Sequence, residues 1–88
     1  MRDKHHSRIR AKVVSLAAEC GNPDAVIEDD VIIPETGLLS SAAIIDLIMW
    51  IEQEFDISID EDEITIDNLG SIALIALFIA DRIGDQHP

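Results

Sequence analysis

Apolar side chains return every three or four positions along three stretches of this chain, and the first and last of these stretches run up to a glycine. Within residues 7–20, Ile9, Val13, Leu16, Ala17 and Cys20 share one helical face ahead of Gly21-Asn22-Pro23. Within residues 41–54, and running on to Phe55, Ile44, Leu47, Ile48, Ile51 and Phe55 stand at i, i+3, i+4, i+7 and i+11, a stripe wide enough for a core face. From Ser71 onward, Ile72, Ile75, Ala76, Ile79 and Ile83 repeat in the same way up to Gly84. Residues 64–69 have room for one short helical turn. Ile57-Ser58-Ile59 alternates like a strand but has no partner to pair with, so it reads as a loop whose isoleucines point inward. The pattern predicts an all-α domain over residues 7–84, with flexible tails at 1–6 and 85–88.

Two features do not fit a plain bundle. Residues 21–40 carry Pro23, Pro34 and Gly37 and the acids Glu28-Asp29-Asp30, with Val26, Ile27, Val31, Ile33, Leu38 and Leu39 scattered between them. A connection that long is unusual in a small domain. Its recurring apolar residues suggest a loop strapped over the core. The second helix also has a further apolar line: Ala42, Ile45 and Met49, at i, i+3 and i+7, bordered by Asp46, Glu52 and Gln53. An apolar strip edged with carboxylates suits the docking of a basic partner. The same spacing suits a helix buried on nearly every side, and periodicity does not separate the two. Trp50, between the faces, reads as half-buried packing.

Length and charge narrow the possible functions. At 88 residues the chain is one domain, too small for its core to wall an enzyme cleft, so catalysis by this chain alone is not expected. No apolar run approaches a membrane span, and the charged start is unlike a signal peptide, which makes the cytoplasm the default location. Five of the six Lys and Arg residues lie in the first twelve positions, leaving Arg82 alone among the acids that follow. Such a polyanion repels nucleic acid, and with no Tyr there is little to stack on bases. Basic protein surfaces are the expected partners, although acidity alone is also explained by solubility. The single cysteine, Cys20, excludes an internal disulfide and reads as a small, partly buried apolar residue.

Little catalytic chemistry is encoded. His5, His6 and His87 fall in the expected tails, a poor place for a rigid base, and there is no glycine-rich phosphate loop or paired-cysteine motif. Asp56-x-Ser58-x-Asp60-x-Asp62 invites comparison with a calcium loop. It has Glu61 where the turn needs glycine and Asp67 where a bidentate Glu belongs, so a solvated acidic turn is the reading and no metal site is expected. What remains is Ser40-Ser41, directly ahead of the second helix. There the free N–H groups and positive dipole end favour an anion bonded to a hydroxyl. An isolated Ser-Ser at a helix start is ordinarily a cap.

The surrounding residues change that balance. Gly37-Leu38-Leu39-Ser40-Ser41, followed at the matching separation by Ile51-Glu52-Gln53-Glu54-Phe55-Asp56-Ile57, resembles the acyl and peptidyl carrier proteins. The segment from Asp62-Glu63-Ile64 to Leu69-Gly70-Ser71-Ile72 also resembles freestanding carriers. The resemblance implies a four-helix bundle of three long helices and one short, with a long first loop. It places the covalent 4′-phosphopantetheine arm on Ser41 and leaves Ser40, standing where the family usually has Asp, as the N-cap. It implies docking through Ala42, Ile45, Asp46, Met49 and Glu52. The expected partners are a phosphopantetheinyl transferase, an acyl- or aminoacyl-activating ligase, and downstream synthases or transferases in fatty acid, polyketide or peptide-type biosynthesis. A non-catalytic monomer that presents a thioester to these enzymes is the expected function. The alternative is an unmodified acidic adaptor that kept the fold and binds a partner through the second helix.

Overall fold

The computed structural model describes the backbone of residues 2–84 and the side chains of residues 5–84. The expected tail at 85–88 lies outside the described residues. Three long helices, α1 (Arg2–Glu19), α3 (Ser41–Phe55) and α5 (Ile72–Gly84), enclose one core, and two short ones, α2 (Ile33–Thr36) and α4 (Ile66–Leu69), lie in the connections. The described residues contain no strand. This is the helical bundle of the carrier type that the resemblance implies.

The core forms where the apolar stripes meet. Ile9, Val13, Leu16 and Ala17 of α1, Leu47 and Ile51 of α3, and Ile72, Ile75 and Ile79 of α5 are almost completely removed from solvent. Each fully buried isoleucine or leucine contributes about 1.5–3 kcal/mol of transfer free energy. Ala43 joins Leu47 and Ile51 on the buried line of α3, whereas Ile44, Ile48 and Phe55, expected in the core, are only partly covered.

Helix ends follow the local sequence. Asn22 N–H reaches back to the Ala17 carbonyl at 2.8 Å across Gly21, whose φ of +93° only glycine adopts readily, and this closes α1. At the end of α3 the same left-handed conformation falls on Asp56 (φ +54°), with Ile57 N–H bonded to the Glu52 carbonyl at 3.1 Å. Thr65 Oγ1 accepts from Asn68 N–H at 3.2 Å to start α4. Buried Ser71 does the same for α5, its Oγ accepting from Leu74 N–H at 3.1 Å.

The long connection is strapped to the core, as its apolar residues suggest. Ile27, Ile33 and Leu39 are buried. Ala73 N–H donates to the Asp29 carbonyl at 2.9 Å and Ile33 N–H to the Gly70 carbonyl at 2.7 Å, so the strap is stitched to the start of α5. Arg10 adds an ion pair to Asp29 and an Nε–H bond to the Ile27 carbonyl at 3.3 Å. The strap also contains α2, which periodicity does not show because four residues complete only one turn.

One expectation needs correction, and α1 begins ahead of residue 7, where the apolar pattern starts it. The backbone of residues 2–6 is helical, and nothing in Arg-Asp-Lys-His-His breaks a helix. The His5 ring meets Phe55 edge-on at 5.3 Å, and the Arg8 guanidinium lies 4.9 Å from the centre of that ring while pairing with Glu54. Cys20 is exposed and not partly buried, because it stands one residue beyond the last turn of α1.

Candidate functional site

The C-terminal end of α1 and the N-terminal end of α3 come together, and Ser40 and Ser41 sit at that junction. Buried Leu39 fixes the point of entry. The Leu38 carbonyl accepts from Asn22 Nδ2 at 3.1 Å, and Leu38 N–H donates to Thr36 Oγ1 at 3.1 Å. Gly37, in a left-handed conformation (φ +71°), makes the turn that precedes them. The chain therefore arrives at α3 in a defined orientation, and two adjacent hydroxyls are left with different roles.

Ser40 is the cap. Its backbone is extended (φ −71°, ψ 168°) and its Oγ accepts from Ala43 N–H at 3.1 Å, which satisfies one of the free donors of the first turn. Cys20 borders it: Ser40 N–H donates to Cys20 Sγ at 3.5 Å, and the thiol donates to Ser40 Oγ at 3.7 Å. Nothing in the sequence points to this contact, since twenty residues separate the two. Ser41 is the first helical residue and is exposed. The N–H groups of Ser41 and Ala42, at the first two helical positions, have no acceptor within the helix by construction. No acid occupies the first turn of α3. An exposed hydroxyl beside unopposed N–H groups at the positive end of a 15-residue helix suits a phosphodiester anion.

The second apolar line of α3 faces solvent, so the helix is not buried on nearly every side. Ile45 is 57% exposed and Met49 50%, with Ala42 and Asp46 exposed beside them. At 1.5 Å of rise per residue this strip extends about 12 Å from Ser41 to Met49. Glu52 is placed differently. It is partly buried, and its Oε2 accepts from Ile59 N–H at 2.9 Å, so one oxygen latches the following loop onto α3.

Three of the described cations are paired away from the exposed strip of α3. Arg8 pairs with Glu54, Arg10 with Asp29 and Arg82 with Glu63. Asp46 and Glu61-Asp62 stay exposed. The turn at Glu61–Glu63 is a short 3-10 helix in which Asp60 N–H donates to Glu63 Oε1 at 3.0 Å, so Glu63 is held by the turn and by Arg82.

An apolar cavity of about 80 Å³ lies behind the exposed strip, lined by Ile44, Leu47, Ile48 and Ile51 of α3 and closed by Ile66 and Leu69 of α4. Sequence gave no sign of it, since a gap between packed elements has no periodicity of its own. Trp50 is half-buried and meets Phe55 edge-on at 5.8 Å, at the opposite end of α3 from Ser41.

No described base serves Ser41. His5 and His6 begin α1, whereas Cys20, beyond its end, touches Ser40; fourteen or fifteen residues of helix put those imidazoles roughly 20 Å away. His87 lies outside the described residues. A family model described as the phosphopantetheine attachment site matches residues 11–76 of the 88. No curated protein and no solved structure gives a significant match.

Proposed function

Because the chain belongs to the phosphopantetheine attachment site family, defined by a covalent 4′-phosphopantetheine, we propose that it is a carrier whose arm is esterified to Ser41 and whose cargo passes between biosynthetic enzymes. The observation that carries the assignment is the division of labour at the start of α3. Ser40 is committed to the cap, and Ser41 presents a free, exposed hydroxyl over the first-turn N–H groups. When bound, the arm supplies a terminal thiol that holds a carboxylic acid as a thioester.

The chain's own contribution is to mount and present. The first turn of α3 favours the phosphodiester charge next to Ser41. With no imidazole of the described residues near Ser41, the transferase is left to take its proton. The strip of Ala42, Ile45, Asp46 and Met49, with the free side of Glu52, then docks basic enzyme surfaces. Modest apolar area and exposed carboxylates support rapid, steered and reversible encounters. No helix of the described residues is long and apolar enough to cross a membrane.

The cavity behind the strip favours an aliphatic acyl group over an amino acid as cargo. Eight of its eleven lining residues are isoleucine or leucine, and an ammonium group among them would lose hydration. Intact-mass measurement after incubation with a phosphopantetheinyl transferase and coenzyme A tests the assignment: one added arm is expected on wild type and Ser40→Ala, and none on Ser41→Ala. An arm retained by Ser41→Ala overturns the attachment point. A wild-type protein that takes no arm yet binds a partner stably through Ile45 and Met49 would instead be an unmodified adaptor.

A further inference from the structure

We infer that Ser40 is a positioning residue for the phosphate on its neighbour, a role set by Cys20; this rests on Ser41 being the attachment point. A serine hydroxyl has two acceptor sites and one proton to donate. Ser40 Oγ accepts from Ala43 N–H at 3.1 Å and from the Cys20 thiol at 3.7 Å, so both acceptor sites are filled. The thiol is itself fixed, because its sulfur accepts Ser40 N–H at 3.5 Å. The remaining function of the Ser40 hydroxyl is its proton, and Ser40 is exposed beside Ser41. Ser40 therefore offers a donor to an anion on Ser41, where a carboxylate at the same position would offer only repulsion. Hydrogen bonds to a charged acceptor are the stronger class, and this donor adds to the N–H groups of the first turn. Cys20 acts through Ser40: its S–H fills the second acceptor site that would otherwise let the hydroxyl turn away.

Phosphorus NMR of the loaded protein reads this directly, without reference to any enzyme that uses it. Ser40→Asp is the informative variant because Asp preserves the cap and with it the helix, while removing the donor. In Ser40→Asp and Ser40→Ala the arm's phosphorus resonance should move and sharpen as the phosphodiester gains mobility, and Ser40→Thr, which keeps the hydroxyl, should restore it. Cys20→Ala should move the resonance the same way by a smaller amount, and Cys20→Ser should restore it. Thermal melts of Ser40→Asp and Cys20→Ala close to wild type separate this effect from loss of the fold. A phosphorus signal unchanged in both Ser40→Asp and Ser40→Ala overturns the inference while leaving Ser41 as the attachment point. Absence of any arm on wild type overturns the attachment and the inference together.

Discussion

Replacing Gly70 with alanine is expected to destabilise the fold by about 3 kcal/mol, although glycine-to-alanine changes at unobstructed sites stabilise by about 0.4–1 kcal/mol. Gly70 follows α4 with an ordinary right-handed backbone (φ −77°, ψ −21°), so its conformation does not require glycine. Space does. A Cβ there would lie 2.4 Å from the Ile66 carbonyl oxygen and 2.8 Å from Ile66 Cγ2, against the 3.4–4 Å of ordinary contact. Relief takes a shift of about 1 Å between Gly70 and α4, comparable to core overpacking at about 1–3 kcal/mol. The same shift strains two hydrogen bonds, Gly70 N–H to the Ile66 carbonyl at 2.8 Å and Ile33 N–H to the Gly70 carbonyl at 2.7 Å. Each contributes about 1 kcal/mol. With the gain from the unfolded chain subtracted, about 3 kcal/mol remains, or roughly 12–24 °C in Tm for a domain of this size. Gly84→Ala is the control: beyond its chain neighbours and its own helix backbone nothing lies within 4 Å of its Cβ position, and it ends α5, so it should melt at or slightly above wild type. Circular dichroism melts of the three proteins at one ionic strength decide the matter. Gly70→Ala melting at or above wild type refutes the steric argument.

Other outcomes follow from single residues. Asp56→Gly removes a side chain from a left-handed position (φ +54°) and should stabilise by about 0.5–1 kcal/mol, read as a higher denaturant midpoint at unchanged slope. Arg82→Gln removes the ion pair to Glu63, an N–H donation to the Ser58 carbonyl at 2.7 Å and stacking 4.7 Å over Phe78; about 2 kcal/mol should be lost, and less in 1 M salt, where exposed charges are screened. Ile45→Ala and Met49→Ala should leave the melting temperature within a few degrees, both side chains being half exposed. Each should weaken transferase binding about tenfold in a titration, the equivalent of about 1.4 kcal/mol of apolar contact.

How much of this could be read beforehand depended on how far apart the interacting residues lie. Leu16, Leu47, Ile51, Ile75 and Ile79 declared themselves because a helix repeats its buried face every three or four residues, and Gly21 and Gly84 marked ends through backbone freedom and weak helix propensity. α2 escapes the periodicity although Pro34 at its start and Gly37 after it are the usual punctuation of a helix; four residues offer no period to count. The contact of His5 with Phe55, fifty positions away, leaves no trace in the local sequence. The resemblance makes Glu52 a docking acid, yet its carboxylate also answers the free N–H of Ile59, a demand visible only once the loop has its course. The site divides in the same way. Ser40 and Ser41 stood out by position relative to the helix, whereas the Cys20 thiol beside them became visible only when α1 and α3 were brought together.

The placement of charge explains how so acidic a chain folds and still presents an acidic face. A formal net charge of −12 on 88 residues opposes compaction, and the few cations are too scarce to neutralise it. Three of them each close a junction. Arg8 ties the start of α1 to the end of α3, Arg10 ties α1 to the long strap, and Arg82 ties α5 to the turn before α4. Isolated exposed pairs contribute little, but these three are partly covered, and two of them add N–H bonds to the Ile27 and Ser58 carbonyls. None of these cations bonds to Asp46 or to the exposed strip of α3. A cation there would have relieved repulsion just as well, but it would have opposed the basic surfaces this face is suited to meet. The arrangement thus uses three arginines to hold the connections and leaves Asp46 and the exposed strip of α3 without a paired cation among the described residues.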